Sequence, residues 1–130
     1  MILLDTNVLS ELMKPRPDRG VIAWLNACKT TQLYLSSITI AEIEYGLHAL
    51  PQGARGRKLR YRYEGFIEAA FSGRVLEFGY PAATVYGEIM AHRRATGRPM
   101  SVPDGQIAAI ALSRGLKLAT RNVRDFAGCG

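Results

Sequence analysis

Apolar residues come in short blocks separated by polar and turn-forming segments. Met1–Leu4 is a wholly apolar run, which predicts a strand buried on both faces. It stops at Asp5-Thr6-Asn7, residues with capping tendencies, so a short helix is expected over Val8–Met13. Lys14-Pro15-Arg16-Pro17 breaks that helix, because each proline removes a donor and restricts the residue before it. Asp18 is placed to cap the next helix, with Val21, Ile22, Trp24 and Leu25 as its apolar stripe and Cys28 in it. Leu33–Leu35 reads as a second strand. Ser37 or Thr39 then introduces a helix with Ile40, Ile43, Leu47 and Leu50 at helical spacing, ended by Pro51 and Gly53. A basic stretch, Arg55–Arg62, leads into a helix through Phe66, Ile67 and Ala70. Val75–Phe78 is a third strand, and Ala82–Thr96 a helix with Gly97 as its stop. Pro103 suits the first turn of a last helix that reaches Gly115, and Leu116–Ala119 is the fourth strand. Strands alternating with helices predict a three-layer α/β/α fold around a mainly parallel sheet.

The 130 residues suit one domain, 1–130, since domains commonly run to about 100–150 residues. Hydrophobic residues make up 48%, which argues against disorder. The chain stops soon after Asp125, where a further edge strand would be expected, so that terminal strand is read as short or missing. Asp5 interrupts the first apolar run, unlike a signal peptide, and no stretch approaches the roughly 20 apolar residues needed to cross a bilayer. The expectation is a cytoplasmic protein without a membrane partner. Cys28 and Cys129 are too few for a disulfide framework and lack metal-ligand spacing. The formal charge of +6 favours polyanionic partners without choosing among them.

Four carboxylates stand where the predicted fold would gather them. Asp5 follows the first strand directly, and Asp125 lies just beyond the fourth, after Thr120-Arg121-Asn122. Glu42 sits in the first turns of the helix after the second strand, and Asp104 opens the helix at Pro103. Sites in open α/β sheets form outside the carboxyl ends of parallel strands, so all four acids have access to one crevice. Clustered carboxylates repel, and such a group is stable with raised pKa values or a bound cation. Oxygen ligands without Cys or His suit Mg²⁺ or Mn²⁺. Each acid also has a plainer reading: Asp5 as a cap, Asp104 as a first-turn acid, Glu42 as a solvated helix residue, Asp125 as a surface loop residue. Nucleotide-binding glycine loops and the GxSxG elbow are absent. His48 and His92 stand alone and read as surface or half-buried helix residues.

Four segments carry a family resemblance. Residues 1–11 (MILLDTNVLSE), 36–46 (SSITIAEIEYG), 102–109 (VPDGQIAA) and 118–126 (LATRNVRDF) resemble, in order, the motifs of PIN-domain proteins, in particular VapC- and FitB-like toxins of type II toxin–antitoxin systems. The resemblance implies that Asp5, Glu42 and Asp104 hold a divalent metal and that a fourth group assists. Some members have aspartate where Asn122 stands, whereas this chain supplies Asp125 three residues later, so either residue could complete the site. Thr6 and Thr120 resemble positions that hydrogen-bond the carboxylates or metal-bound water.

The implied activity is metal-dependent hydrolysis of RNA phosphodiesters, with Asp104 or Asp5 orienting or deprotonating the water. Arg121, Arg124, Lys14 and Arg16 are expected to hold the RNA backbone, and the Arg55–Arg62 run with Tyr61 and Tyr63 could track phosphates and stack bases, or form a solvated helix face with the tyrosines packing inward. The resemblance further implies an antitoxin that blocks the site, and a homodimer. Three rival readings stay open: a non-catalytic PIN-like module binding RNA or protein, a metal-dependent nuclease acting on DNA, and a DNA-binding regulator using Arg93 and Arg94.

Overall fold

The computed structural model describes residues 1–121. The expected terminal strand, Asn122, Arg124, Asp125 and Cys129 lie outside them. In order, the elements are β1 (Ile2–Leu4), α1 (Thr6–Leu12), α2 (Arg19–Ala27), a 3₁₀ turn (Thr30–Gln32), β2 (Leu33–Ser36), α3 (Ser37–Ala49), α4 (Ala54–Phe71), β3 (Val75–Leu76), α5 (Tyr80–Ala95), α6 (Val102–Ser113) and β4 (Lys117–Ala119). The four strands form one parallel sheet in the order β3-β2-β1-β4. β1 is central, pairing Ile2 with Leu33 on one side and with Lys117 on the other.

Successive strand residues point to opposite faces, and the core divides accordingly. Leu3 packs with Ala82, Ile89, Ile107 and Ile110 of α5 and α6, while Leu4 packs with Leu9, Leu35, Ile43 and Tyr63 of the other layer. Each large side chain so buried contributes about 1.5–3 kcal/mol. The three-layer arrangement therefore matches the expected fold class. Within it, α6 lies close against α5 because Gly105 has no side chain: a Cβ there would stand 2.5 Å from the Met90 sulfur and 3.1 Å from a Tyr86 ring carbon.

Several local expectations need correction. α3 is capped by Ser36, whose hydroxyl accepts from the Thr39 N–H at 3.0 Å, rather than by Ser37 or Thr39. The strand runs one residue further than expected, and its last residue, Ser36, is itself the cap. The basic run does not precede a helix; it lies inside α4, since Arg, Lys and Leu are good helix formers. There Tyr63 turns inward at 4% exposure while Tyr61 stands out at 80%. Trp24 leaves the predicted stripe and is exposed, whereas Val21 and Leu25 pack on the core. Cys28 is the C-cap of α2 rather than part of it. Arg93 is buried, so α5 does not offer Arg93 and Arg94 together as a reading face. Gly97 ends α5 as expected, at φ +73°.

Candidate active site

The carboxyl ends of β1, β2 and β4 lie side by side, so the residues that follow them meet. Asp5 caps α1 and is only 4% exposed. One carboxylate oxygen accepts from the Thr6 N–H at 2.8 Å, and the other accepts from the Thr120 hydroxyl, also at 2.8 Å. The Asp5 N–H donates to the Ala119 carbonyl at 2.9 Å, extending the β1–β4 ladder into the site and fixing the carboxylate relative to Thr120.

Glu42 reaches the site through a file of hydroxyls. The Thr6 hydroxyl donates to Glu42 Oε1 at 2.7 Å and stands 2.9 Å from the Thr39 Oγ1. Each hydroxyl has one proton. Since Thr6 gives its proton to the carboxylate, Thr39 must donate to Thr6. The Ser36 hydroxyl donates to Thr39 at 3.3 Å, and the Thr39 N–H returns to Ser36. Thr39 and Ser36 are fully buried, so this file is a rigid polar seam between the ends of β1 and β2.

Asp104 lies in the first turn of α6, whose start is capped by Ser101. Among the described residues its carboxylate accepts no hydrogen bond. Burial pushes the Asp5 carboxyl above its ordinary value; the Thr120 and Thr6 bonds oppose that shift, and the charges of Asp104 and Glu42 reinforce it. No described lysine or arginine forms an ion pair with any of the three acids. The result is a local excess of negative charge on oxygen donors, the chemistry of a hard divalent cation. Among the described residues the acids do not form a closed group of three metal-ligating side chains. Mg²⁺ is commonly held by one or two carboxylates with several waters retained, and the donor set here fits such a site.

A second seam joins the site to α1. Asn7 Nδ2 donates to Thr120 Oγ1 at 3.2 Å, and the Arg121 N–H donates to Asn7 Oδ1, also at 3.2 Å. The Arg121 guanidinium meets Glu11, which also accepts from Lys14 Nζ at 2.9 Å. Two of the expected RNA contacts, Lys14 and Arg121, are thus engaged with Glu11. Both keep exposed surface, and Arg16 is exposed. The structure brings together Asp5, Thr6, Glu42, Thr120 and, by electrostatic proximity, Asp104. Sequence reasoning missed Ser36 and Thr39 as parts of the seam, Asn7 as the link to Thr120, and Glu11 as the acceptor for Arg121. The Asp-Thr-Asn triplet was a visible signal for Asn7; the others depend on which strand ends become neighbours.

Comparison with known proteins agrees with this geometry. The PIN domain model matches residues 2–128. The VapC ribonuclease Y4jK of Sinorhizobium fredii is 45% identical over 100% of this chain and 93% of its own length. The crystal structure of FitAcB from Neisseria gonorrhoeae superposes with a TM-score of 0.93 at 40% identity, covering 99% of this chain and 93% of that one. A toxin–antitoxin complex from Klebsiella pneumoniae aligns at a TM-score of 0.72 and 28% identity, over 98% and 92%. PIN nucleases generally use divalent metal ions. Among the described residues no helix is long and apolar enough to cross a membrane. With the motifs in order, the parallel sheet and the matched length, the chain belongs to the PIN domain family.

Proposed function

We propose that this protein is the toxin of a toxin–antitoxin pair, an endoribonuclease that acts as one PIN domain in the cytoplasm and is held inactive by its antitoxin. The relatives' names and complexes support the activity and the partner. The observation that carries the chemical reading is the buried Asp5, held by Thr6 and Thr120 and pressed by the charges of Asp104 and Glu42.

Asp5, Glu42 and Asp104 would hold Mg²⁺ or Mn²⁺, with Asn122 or Asp125 completing the set. The bound cation supplies charge to offset that developing on the phosphoryl oxygens. Asp5 has both oxygens committed to donors, so its role is to hold. Asp104 accepts no such bond among the described residues and is the better base: it takes a proton from water as the water oxygen attacks phosphorus and the P–O bond to the leaving nucleoside breaks. Thr6 keeps Glu42 oriented, and Thr120 does the same for Asp5. Arg16, Lys14, Arg121 and Arg124 steer the RNA backbone. The family resemblance adds a homodimer, which light scattering checks directly.

The test is cleavage of a pool of cellular RNA with Mg²⁺ or Mn²⁺, beside single-stranded DNA, for wild type, Asp5→Asn and Asp104→Asn. Discrete RNA cuts that vanish with EDTA and with either substitution sustain the proposal. Cuts in DNA alone move it to a DNA nuclease, and mutants that cut like wild type refute the assigned site. Three folded, metal-loaded proteins that bind RNA without cutting it favour a binding module.

A further inference from the structure

The chemistry above gives Glu11 no role, yet Glu11 is a carboxylate 7% exposed that ties three separate segments together. Its Oε1 accepts from Lys14 just past α1 and from the Arg121 guanidinium after β4, and its Oε2 accepts from the N–H of Asp18, the N-cap of α2. Arg121 is the point that matters. With its side chain held on Glu11, its backbone N–H points at Asn7 Oδ1.

That bond fixes the orientation of the Asn7 amide. Its oxygen faces the Arg121 N–H, so its NH₂ faces Thr120 and donates to Oγ1. A hydroxyl that accepts from an amide still has one proton to give, and the Thr120 proton goes to Asp5 Oδ2. Were Arg121 released, the Asn7 amide could turn over and present its oxygen to Thr120. The Thr120 proton would then have two competing acceptors, and Asp5 would lose a committed donor.

We infer that Glu11 is a positioning residue for the cleavage reaction: through Arg121 and Asn7 it commits the Thr120 proton to Asp5 and so shapes the carboxylate that receives the cation. This rests on the nuclease reading above. It also recasts Arg121, whose main task becomes holding the segment after β4 rather than gripping phosphate.

The experiment uses the full chain in four forms: wild type, Glu11→Gln, Arg121→Ala and the double variant. Asp5→Asn marks a dead site, and Phe71→Leu is a core variant that lowers stability without touching the site. Mn²⁺ affinity is measured by calorimetry without RNA, and kcat and KM are measured separately on a defined RNA below each variant's melting temperature. Both single variants should weaken Mn²⁺ binding by about tenfold, the lower end for loss of an outer-shell partner. Each should lower kcat comparably, and the double variant should be no worse than either. Phe71→Leu should lose melting temperature only.

Unchanged Mn²⁺ affinity and kcat in Glu11→Gln, with only a lower melting temperature, would reduce Glu11 to a structural tie and overturn the inference. So would additive losses in the double variant, or an Arg121→Ala effect confined to KM, which marks a phosphate contact. If Glu11→Gln does not fold, Arg121→Ala decides the matter alone, because that side chain is partly exposed. A wild type that neither binds Mn²⁺ nor cuts RNA fails the nuclease reading itself and takes the positioning role with it. An active wild type with a dead Asp5→Asn and an unimpaired Glu11→Gln fails the positioning role only.

Discussion

Asp5 and Glu11 are carboxylates at the two ends of one short helix, six residues apart and almost equally withdrawn from water, yet their surroundings treat them in opposite ways. Asp5 meets an amide N–H, a hydroxyl and two further acids, and its carboxyl is pushed up. Glu11 meets an ammonium, a guanidinium and an amide N–H, and its carboxyl is pulled down, chiefly by the Lys14 bond. Burial alone therefore does not identify a functional acid. What distinguishes Asp5 is that no cation among the described residues pairs with it, and an uncompensated buried charge is a standing cost that a bound cation relieves. Glu11 carries no such debt and is free to act as a fastener.

The sharpest break of this contrast is Asp5→Asn, which should cut RNA cleavage by about 10³-fold, within the range for loss of a positioned acid–base or charge-bearing group. In EDTA the same variant should melt higher than wild type at neutral pH. The sign follows from the raised carboxyl: the folded state binds its proton more tightly than the unfolded state, so its favourable contribution is present at low pH and lost as pH rises through the folded-state value. The gain from Asp5→Asn should accordingly disappear on acidification. A lower melting temperature at neutral pH would show that Asp5 is compensated after all.

Glu11→Gln should move melting the other way. Its lowered carboxyl gives stability that is present above the unfolded-state value and lost as pH falls through the folded one. The variant should melt several degrees below wild type at neutral pH, with the gap closing in acid. Thermal scans from pH 3 to pH 8 thus place the two variants on opposite sides of wild type, converging on it at the acidic end. Two curves of the same sign would collapse the distinction.

Thr120→Val removes the donor to one Asp5 oxygen while keeping the shape, and should weaken Mn²⁺ binding by about 10-fold or somewhat more, read by calorimetry. The smallest effect is expected for Ser101→Ala. It removes the cap of the helix that presents Asp104, costing about 1 kcal/mol of stability in a denaturant titration and leaving most of the cleavage rate.

Much of this was legible in the sequence because the apolar runs are short and sharply ended. Met1–Leu4 followed by Asp5 gave strand, cap and candidate ligand together, and Pro103-Asp104 marked the start of α6. Errors cluster where tertiary packing decides. Whether Arg55–Arg62 lies before the helix or inside it turns on Tyr63 joining Val8 and Leu9 of α1 in the core, and Trp24 is exposed although its spacing fits a buried stripe. The file from Ser36 through Thr39 to Thr6 was illegible for a stricter reason: it exists only because β1 and β2 are neighbours in register, a fact no local pattern carries. Glu11 stood inside a motif that resembles the family, but its partner lies 110 residues away.

The placement of β1 at the middle of the sheet has a consequence for the chain as it is made. The hydrogen bond that orients Asp5 spans 115 positions, and its donor follows the last described strand. A ribosome that has delivered Asp5, Glu42 and Asp104 has delivered three acids but no oriented site, since β1 still lacks β4 on one flank. Nuclease competence thus arrives late in synthesis. A chain abandoned before β4 is expected to be harmless to the RNA pool around it, which gives a cell that makes such an enzyme an interval in which to meet it with a partner.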